Sequence, residues 1–346
     1  MKIKDITLEK RYIPLKTPFA TALRRVENVE FVRVHILFED ASIAQGEAPA
    51  TKAITGEDLE DIIHSIESVK TKLLGLNAAD ALRKLHQTTI GSSAKAALDR
   101  ALFFQVNRLD IEDTSTIKTD VTISLNGVDE MMADAKKALS EGYDILKVKL
   151  GSDIKHAIDV TLRLGNDLPN AVLLIDANQA WSVESAMEYL NAVDGVKIEL
   201  IEQPVKADDL EGLKRITEAS SIAILADEAA FSLEDVKNIY TLNAADMINI
   251  KLMKCGGVSK AIEILEYARA KKIPCMLGSM LEGPLSIEAA YKLAFAYRDV
   301  IKYVDLDSPL LYAETPSSVG DFAIKRNQIK PKIPAKSEAA KIPILA

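Results

Sequence analysis

A chain of 346 residues, 48% hydrophobic and 27% charged, is long enough for one large core beside a smaller domain and lacks the composition of a disordered protein. A formal charge of −8 without any Lys/Arg run excludes a general nucleic-acid surface, so small molecules are the expected ligands. No apolar run reaches membrane-spanning length and the opening MKIKDITLEK has no hydrophobic signal core, which removes a membrane role and makes the cytoplasm the expected compartment.

In chain order, residues 3–13 and 30–39 alternate as antiparallel strands, and a third strand is expected at 42–48. Helical patterns follow at 58–74, 79–87 and 92–106, so an α+β unit precedes the rest. Between the first two strands, KTPFATALRRVEN has no clear period and reads as a loop over a binding site. There Arg24 or Arg25 grips a carboxylate with a bidentate fork, or both are solvated on a turn.

After the polar turn IEDTSTIKTD the pattern changes to VTISLN from Val121, ILKVKL from Ile145, VLLIDAN from Val172 and IELIEQP from Ile198. It continues with IAILADE from Ile222, DMINIKL from Asp246, IPCMLGS from Ile273 and KYVDLDS from Lys302. Strands recurring roughly every 25 residues with amphipathic helices between them predict a closed barrel of about eight strands, with its site at the C-terminal strand ends. The barrel is expected over 119–309, behind a capping domain at 1–118 to which 310–346 returns; a short strand is expected at 322–324 and a loosely ordered Lys/Pro-rich tail over 329–346. Cys255 and Cys275 lack metal-ligand spacing and read as core or turn residues. His35, His64, His86 and His156 lie at no barrel strand end, which argues against a histidine acid/base or zinc site.

Polar residues collect where the barrel predicts a site. Asp176, Glu202 and Asp227 end the third, fourth and fifth barrel strands, a hard oxygen set that suits Mg²⁺. Such an ion would bind a substrate carboxylate and neutralise the charge formed when an α-proton leaves. A lone Asp176 at a strand end is equally a helix cap; Glu199 and Glu228 have the opposite parity and read as supporting or surface groups. Lys147 and Lys149 share the inward face of strand two if Leu146, Val148 and Leu150 pack on the helices; the other reading has them snorkelling to solvent. As neighbouring cations, Lys147 is expected to lower the proton affinity of Lys149. Lys251 ends strand six, across the barrel from strand two, so Lys149 and Lys251 would flank a substrate carbon as two bases of a racemase or epimerase. Thr122 shares a face with Ser124 and Asn126, whose polar groups line the pocket or satisfy one another. Cys255-Gly256-Gly257 reads as a phosphate cradle or a plain tight turn.

Taken together, Lys147-Val148-Lys149, Asp176-Ala177-Asn178, Glu202-Gln203-Pro204, Asp227-Glu228 and Lys251 resemble the muconate-lactonising subgroup of the enolase superfamily. The resemblance spans nearly the whole chain and implies a TIM-like (β/α)7β barrel with an α+β capping domain, Mg²⁺ as cofactor, and removal of a proton α to a carboxylate. On the last strand, Tyr303, Asp305 and Asp307 share a face, and the Asp305-Leu306-Asp307 pair resembles the motif by which dipeptide epimerases hold the free amine of a small dipeptide. These aspartates are otherwise caps before Pro309. Thr21-Ala22-Leu23-Arg24 resembles the loop of L-Ala-D/L-Glu epimerases whose arginine meets the glutamate side chain, and Ser279, in the Gly278–Pro284 segment, is counted with the substrate pocket. Epimerases of apolar or cationic dipeptides, N-acylamino acid racemases, muconate cycloisomerases and o-succinylbenzoate synthases share the lysines and acids. A non-catalytic metal-binding relative would not need both lysines. Homo-oligomerisation stays open.

Overall fold

The computed structural model describes residues 1–332. Strands β1 (Ile3–Ala20), β2 (Arg25–Phe38) and β3 (Ile43–Pro49) form an antiparallel sheet in the order β1-β2-β3. Val32, Val34, Ile36 and Phe38 alternate onto one face of β2, where they meet Ile62, Ile66, Val69 and Leu73 of helix Leu59–Leu73 and Leu98 of helix Ser92–Val106. Helix Leu59–Leu73 starts at a capping box, with Asp58 accepting from the Asp61 amide and Asp61 accepting from the Asp58 amide.

The expected loop at KTPFATALRRVEN is instead the end of a long hairpin whose strands run to Ala20 and restart at Arg25. Pro14 and Pro18 offer no backbone donor, and a register shift separates the pairs Pro14–Asn28 and Phe19–Val26, which is why no period shows in the sequence. Beyond the shift, Phe19 and Val26 pack with Phe31, Leu281 and Tyr312, and that apolar cluster holds the hairpin against the barrel mouth.

After β4 (Ile117–Lys118) come eight parallel strands: β5 (Val121–Ile123), β6 (Ile145–Lys149), β7 (Val172–Asp176), β8 (Ile198–Glu202), β9 (Ala223–Ala226), β10 (Met247–Lys251), β11 (Cys275–Gly278) and β12 (Ile301–Asp305). They form one sheet in sequence order, and helices run between successive strands as a (β/α)7β barrel requires. Its ends meet through the Asp120 amide on the Val304 carbonyl (3.1 Å) and the Leu306 amide on Thr119 Oγ1 (2.8 Å).

Strand parity divides the barrel residues. Leu173, Ile175, Ile201, Ile224, Ile248 and Leu277 point outward into the core shared with the helices. Leu174, Leu200, Leu225, Met247 and Met276 fill the barrel interior. Two residues further along the same faces stand Asp176, Glu202 and Asp227, so the rule that packs the interior also carries acids to the mouth. Among the described residues no helix is long and apolar enough to cross a membrane.

Past the barrel, the Ala313 amide bonds the Pro14 carbonyl at 2.7 Å and Tyr312 packs on Val29 and Phe31 of the hairpin. Strands β13 (Ser318–Val319), β14 (Phe322–Lys325) and β15 (Gln328–Pro331) then join β4 in a separate sheet. Phe322, Ile324 and Ile329 of that sheet pack into the barrel's outer core. Residues 333–346 of the Lys/Pro-rich tail lie outside the described residues.

Candidate active site

At the C-terminal ends of the barrel strands, under the hairpin, lies a pocket enclosing about 560 Å³, a size that accepts a small metabolite. Lys149, Asp227 and Lys251 line its floor with Thr122, Ser279, Asp305 and Asp307, while Arg24 and Leu23 come from the hairpin above. Lys147, Asp176 and Glu202 lie directly beneath, all essentially inaccessible. The expected base, metal and substrate side chains, Arg24 among them but not Arg25, therefore gather at this pocket.

Lysine ammoniums stand between the carboxylates. Lys147 Nζ reaches Asp305 Oδ2 at 2.5 Å, Glu202 Oε2 at 2.7 Å and Asp176 Oδ2 at 3.2 Å. Lys149 Nζ donates to the same Asp176 oxygen at 2.6 Å. Across the pocket, Lys251 Nζ donates to Asp227 Oδ2 at 2.6 Å, and Lys254 Nζ lies 2.6 Å from Asp227 Oδ1. The expectation that Lys147 acts on Lys149 as a bare neighbouring cation is thus amended, because Asp176 is bound by both. Burial opposes the charge on Lys147, yet Asp305, Glu202 and Asp176 raise its proton affinity well above the ordinary lysine value. Snorkelling is excluded by its burial.

The acids divide by their neighbours. Burial, then repulsion from Asp176, lifts the Glu202 carboxyl to about 7 in spite of Lys147. Burial also acts to raise Asp227, but Lys251 and Lys254 outweigh it and hold that carboxyl below the usual range. Asp307 is raised to about 6, by burial and then by Asp305, even though its Oδ2 accepts the Thr122 amide at 2.7 Å. That bond crosses the barrel seam, so Asp307 does not serve as the helix cap that its position before Pro309 allowed; it makes no side-chain cap bond.

Glu228, expected to lie behind the site or on the surface, lines the pocket instead and accepts from Asn178 Nδ2 at 3.4 Å. The chain leaves β9 at Ala226 and turns, so strand parity stops governing direction there. Burial, then Asp227, lifts the Glu228 carboxyl to about 8. Glu199 does stand aside, accepting the Tyr303 hydroxyl at 2.6 Å. At the turn after β10, Gly256 and Gly257 have φ of 89° and 121°, and Asp99 Oδ1 accepts the Ser259 amide at 3.1 Å. A carboxylate of the chain itself fills the place a phosphate would take, and the turn is structural.

The acids suit a hard divalent cation. Asp176, Glu202 and Asp227 come from adjacent strand ends, with Asp176 and Glu202 in register, and Glu202 Oε2 and Asp227 Oδ1 face lysine ammoniums at 2.7 and 2.6 Å without a directed hydrogen bond. Lysine charges meet them in this structure. The tightest group of acids lies elsewhere: one oxygen from each of Asp120, Asp305 and Asp307 falls within 4.8 Å of the others, a buried cluster able to hold a cation.

Residues 130–333 match the Enolase C-terminal domain-like family. The L-amino acid-D/L-Glu epimerase of Sulfurimonas denitrificans is 54% identical over 341 residues, covering 96% of this chain and 100% of that protein. The chain belongs to the dipeptide epimerase family of the enolase superfamily. It is accordingly an isomerase acting on amino acid derivatives. The substrate-liganded L-Ala-D/L-Glu epimerase from Bacillus subtilis superposes with a TM-score of 0.88 at 35% identity, covering 96% of each chain. The dipeptide epimerase from Enterococcus faecalis, complexed with Mg and the dipeptide L-Leu-L-Tyr, gives 0.86 at 31% identity, covering 96% of this chain and 97% of that one.

Two residues that support this epimerase site were given no role from the sequence. Gln203, with φ of 37°, accepts the Asp227 and Ala229 amides at 2.9 and 3.0 Å and so fixes the end of β9. Asn249 donates to Glu202 Oε1 at 2.8 Å. Its signal was available, since it shares the inward parity of Lys251.

Proposed function

We propose that the chain inverts the α-carbon of the C-terminal residue of a dipeptide, with L-Ala-D/L-Glu as the preferred pair, by two-base 1,1-proton transfer. One observation carries this reading: Lys149 and Lys251 enter a single pocket from strands four places apart in an eight-stranded barrel, and so from opposite walls. Each lysine addresses one face of a carbon held between them. One takes the α-proton and the other returns a proton to the opposite face.

Asp305 and Asp307 receive the free ammonium of the N-terminal residue, and Arg24 meets the side chain of the second residue. Thr122 and Ser279 border the same cavity. Asp176, Glu202 and Asp227 would hold Mg²⁺, which would supply neutralisation of the substrate carboxylate and of the charge left when the proton departs. Lys149 and Lys251 donate here to Asp176 and Asp227, and a cation held by those acids would compete with both ammoniums for the same carboxylate oxygens. The cytoplasm remains the proposed compartment, consistent with two free cysteines.

The test follows α-proton exchange by NMR in D₂O with Mg²⁺ and each epimer of Ala-Glu. Wild type incorporates deuterium while it epimerises. Lys149→Ala and Lys251→Ala both stop epimerisation, and each retains exchange with at most one epimer. Full epimerisation by either variant removes that lysine from the pair of bases.

A further inference from the structure

Asp120 is fully buried just before β5, and neither of its carboxylate oxygens has a hydrogen-bond partner. Its position follows from barrel closure. The Asp120 amide donates to the Val304 carbonyl, and this places its side chain beside β12, with an oxygen within 4.8 Å of oxygens of Asp305 and Asp307. Asp120 does not line the pocket, whereas Asp305 and Asp307 do. It therefore stands behind the pair, aimed at the same point.

An unpaired buried carboxylate is costly, and a fold retains one where a ligand or a proton satisfies it. The charges around it are unbalanced. Lys147 is the ammonium that reaches this cluster, through Asp305, and it also serves Glu202 and Asp176. Burial raises the Asp120 carboxyl well above the ordinary range, and Asp305 and Asp307 raise it further, against Lys147. Three acids thus face one shared ammonium, and before a substrate binds a proton on the cluster relieves part of their repulsion.

We propose that Asp120 is a positioning residue that sets the demand of the Asp305/Asp307 subsite for a cationic primary amine. The inference rests on the dipeptide reading and deepens it. Asp120 touches no substrate; a bound ammonium would displace the proton held there, and the charge Asp120 then carries behind the two aspartates favours a protonated amine and penalises a neutral N-acyl group. The α-carbon reacts at the other end of the dipeptide, by the lysines, and Asp120 leaves that chemistry unchanged.

Asp120→Asn keeps the shape and removes the charge. With L-Ala-L-Glu, KM is expected to rise about tenfold or more while kcat changes by less than about threefold, the split expected of lost ground-state binding. The preference for Ala-Glu over N-acetyl-Ala-Glu, measured as a ratio of kcat/KM, is expected to shrink by a similar factor. Asp120→Ser, with room for a water, is expected to behave alike. An unchanged KM, or a fall in kcat alone, overturns the proposal. Failure of both variants to fold overturns it too, because Asp120 is then needed for the barrel seam. Wild-type protein that turns over no free-amine dipeptide overturns the functional reading and this proposal with it, whereas active wild type with an unaltered Asp120→Asn variant overturns this proposal alone.

Discussion

Replacing Arg24 by alanine tests how the pocket selects the second residue of a dipeptide. The guanidinium sits half-buried at the hairpin tip, between the main pocket and an adjoining groove lined by Arg25, Glu27, Asn28 and Glu30. Among the described residues its one hydrogen bond is a long one, from Nη1 to the Ala50 carbonyl at 3.4 Å. Burial lowers its proton affinity to about 10, with Glu30 pulling weakly the other way, so it remains charged at neutral pH and poorly neutralised. A substrate carboxylate would complete it. A hydrogen bond to a charged group contributes about 1.5–3 kcal/mol net, so Arg24→Ala is expected to lower kcat/KM for Ala-Glu by roughly one to two powers of ten. Dipeptides with an apolar second residue lose nothing by this change, and those with a cationic one improve. The assay is a dipeptide library followed by mass change in D₂O for wild type and variant in parallel. Equal losses across all second residues would show that Arg24 shapes the hairpin rather than reading charge, and unaltered Ala-Glu turnover would remove it from the pocket altogether.

Glu202→Gln keeps the volume but withdraws one of three acids and the ion pair with Lys147; Mg²⁺ affinity is expected to fall more than roughly tenfold in calorimetric titration, with the circular dichroism spectrum unchanged, and unaltered affinity would exclude Glu202 as a ligand. Glu282 offers a pH test away from those acids. Burial lifts its carboxyl to about 7 from 4.5, against bonds from Ser286 and the Met280 amide, so the folded chain holds a proton there that the unfolded chain releases above about pH 4.5. Its contribution to stability is full below pH 4.5 and is lost as pH rises toward 7, by an amount on the order of 3 kcal/mol. Glu282→Gln should flatten the melting temperature across that window, and a pH dependence identical to wild type would refute the assignment.

How much of the site was legible depended on whether strand parity still applied. Lys147, Lys149, Asp176, Glu202 and Lys251 lie on barrel strands, where alternate residues face inward, and the apolar interior set Leu174, Leu200, Leu225 and Met276 fixes which face that is. Counting two residues onward from a buried leucine therefore located the acids. One step past a strand end the count loses force. Asp227 kept its predicted direction because Gln203 holds its amide, but Glu228, its neighbour, turned into the pocket against the expectation. The hairpin was read as a loop because Pro14 and Pro18 interrupt its period, although Phe19 and Val26 still pair.

Asp120 shows a different kind of limit. Its sequence surroundings are those of a polar turn, and nothing within reach of a local count connects it to Asp305 and Asp307. The connection exists because the first barrel strand meets the last, through the Asp120 amide on Val304 and the Thr122 amide on Asp307. Parity is a property of one strand, whereas closure is a property of all eight. Residues placed by closure can be recognised only when the seam is known, and in this chain the seam runs through the end of the pocket assigned to the substrate amine. The two ends of the pocket therefore differ in how their chemistry is encoded: the proposed proton-transfer end by alternation within single strands, and the proposed amine end by the meeting of β5 with β12.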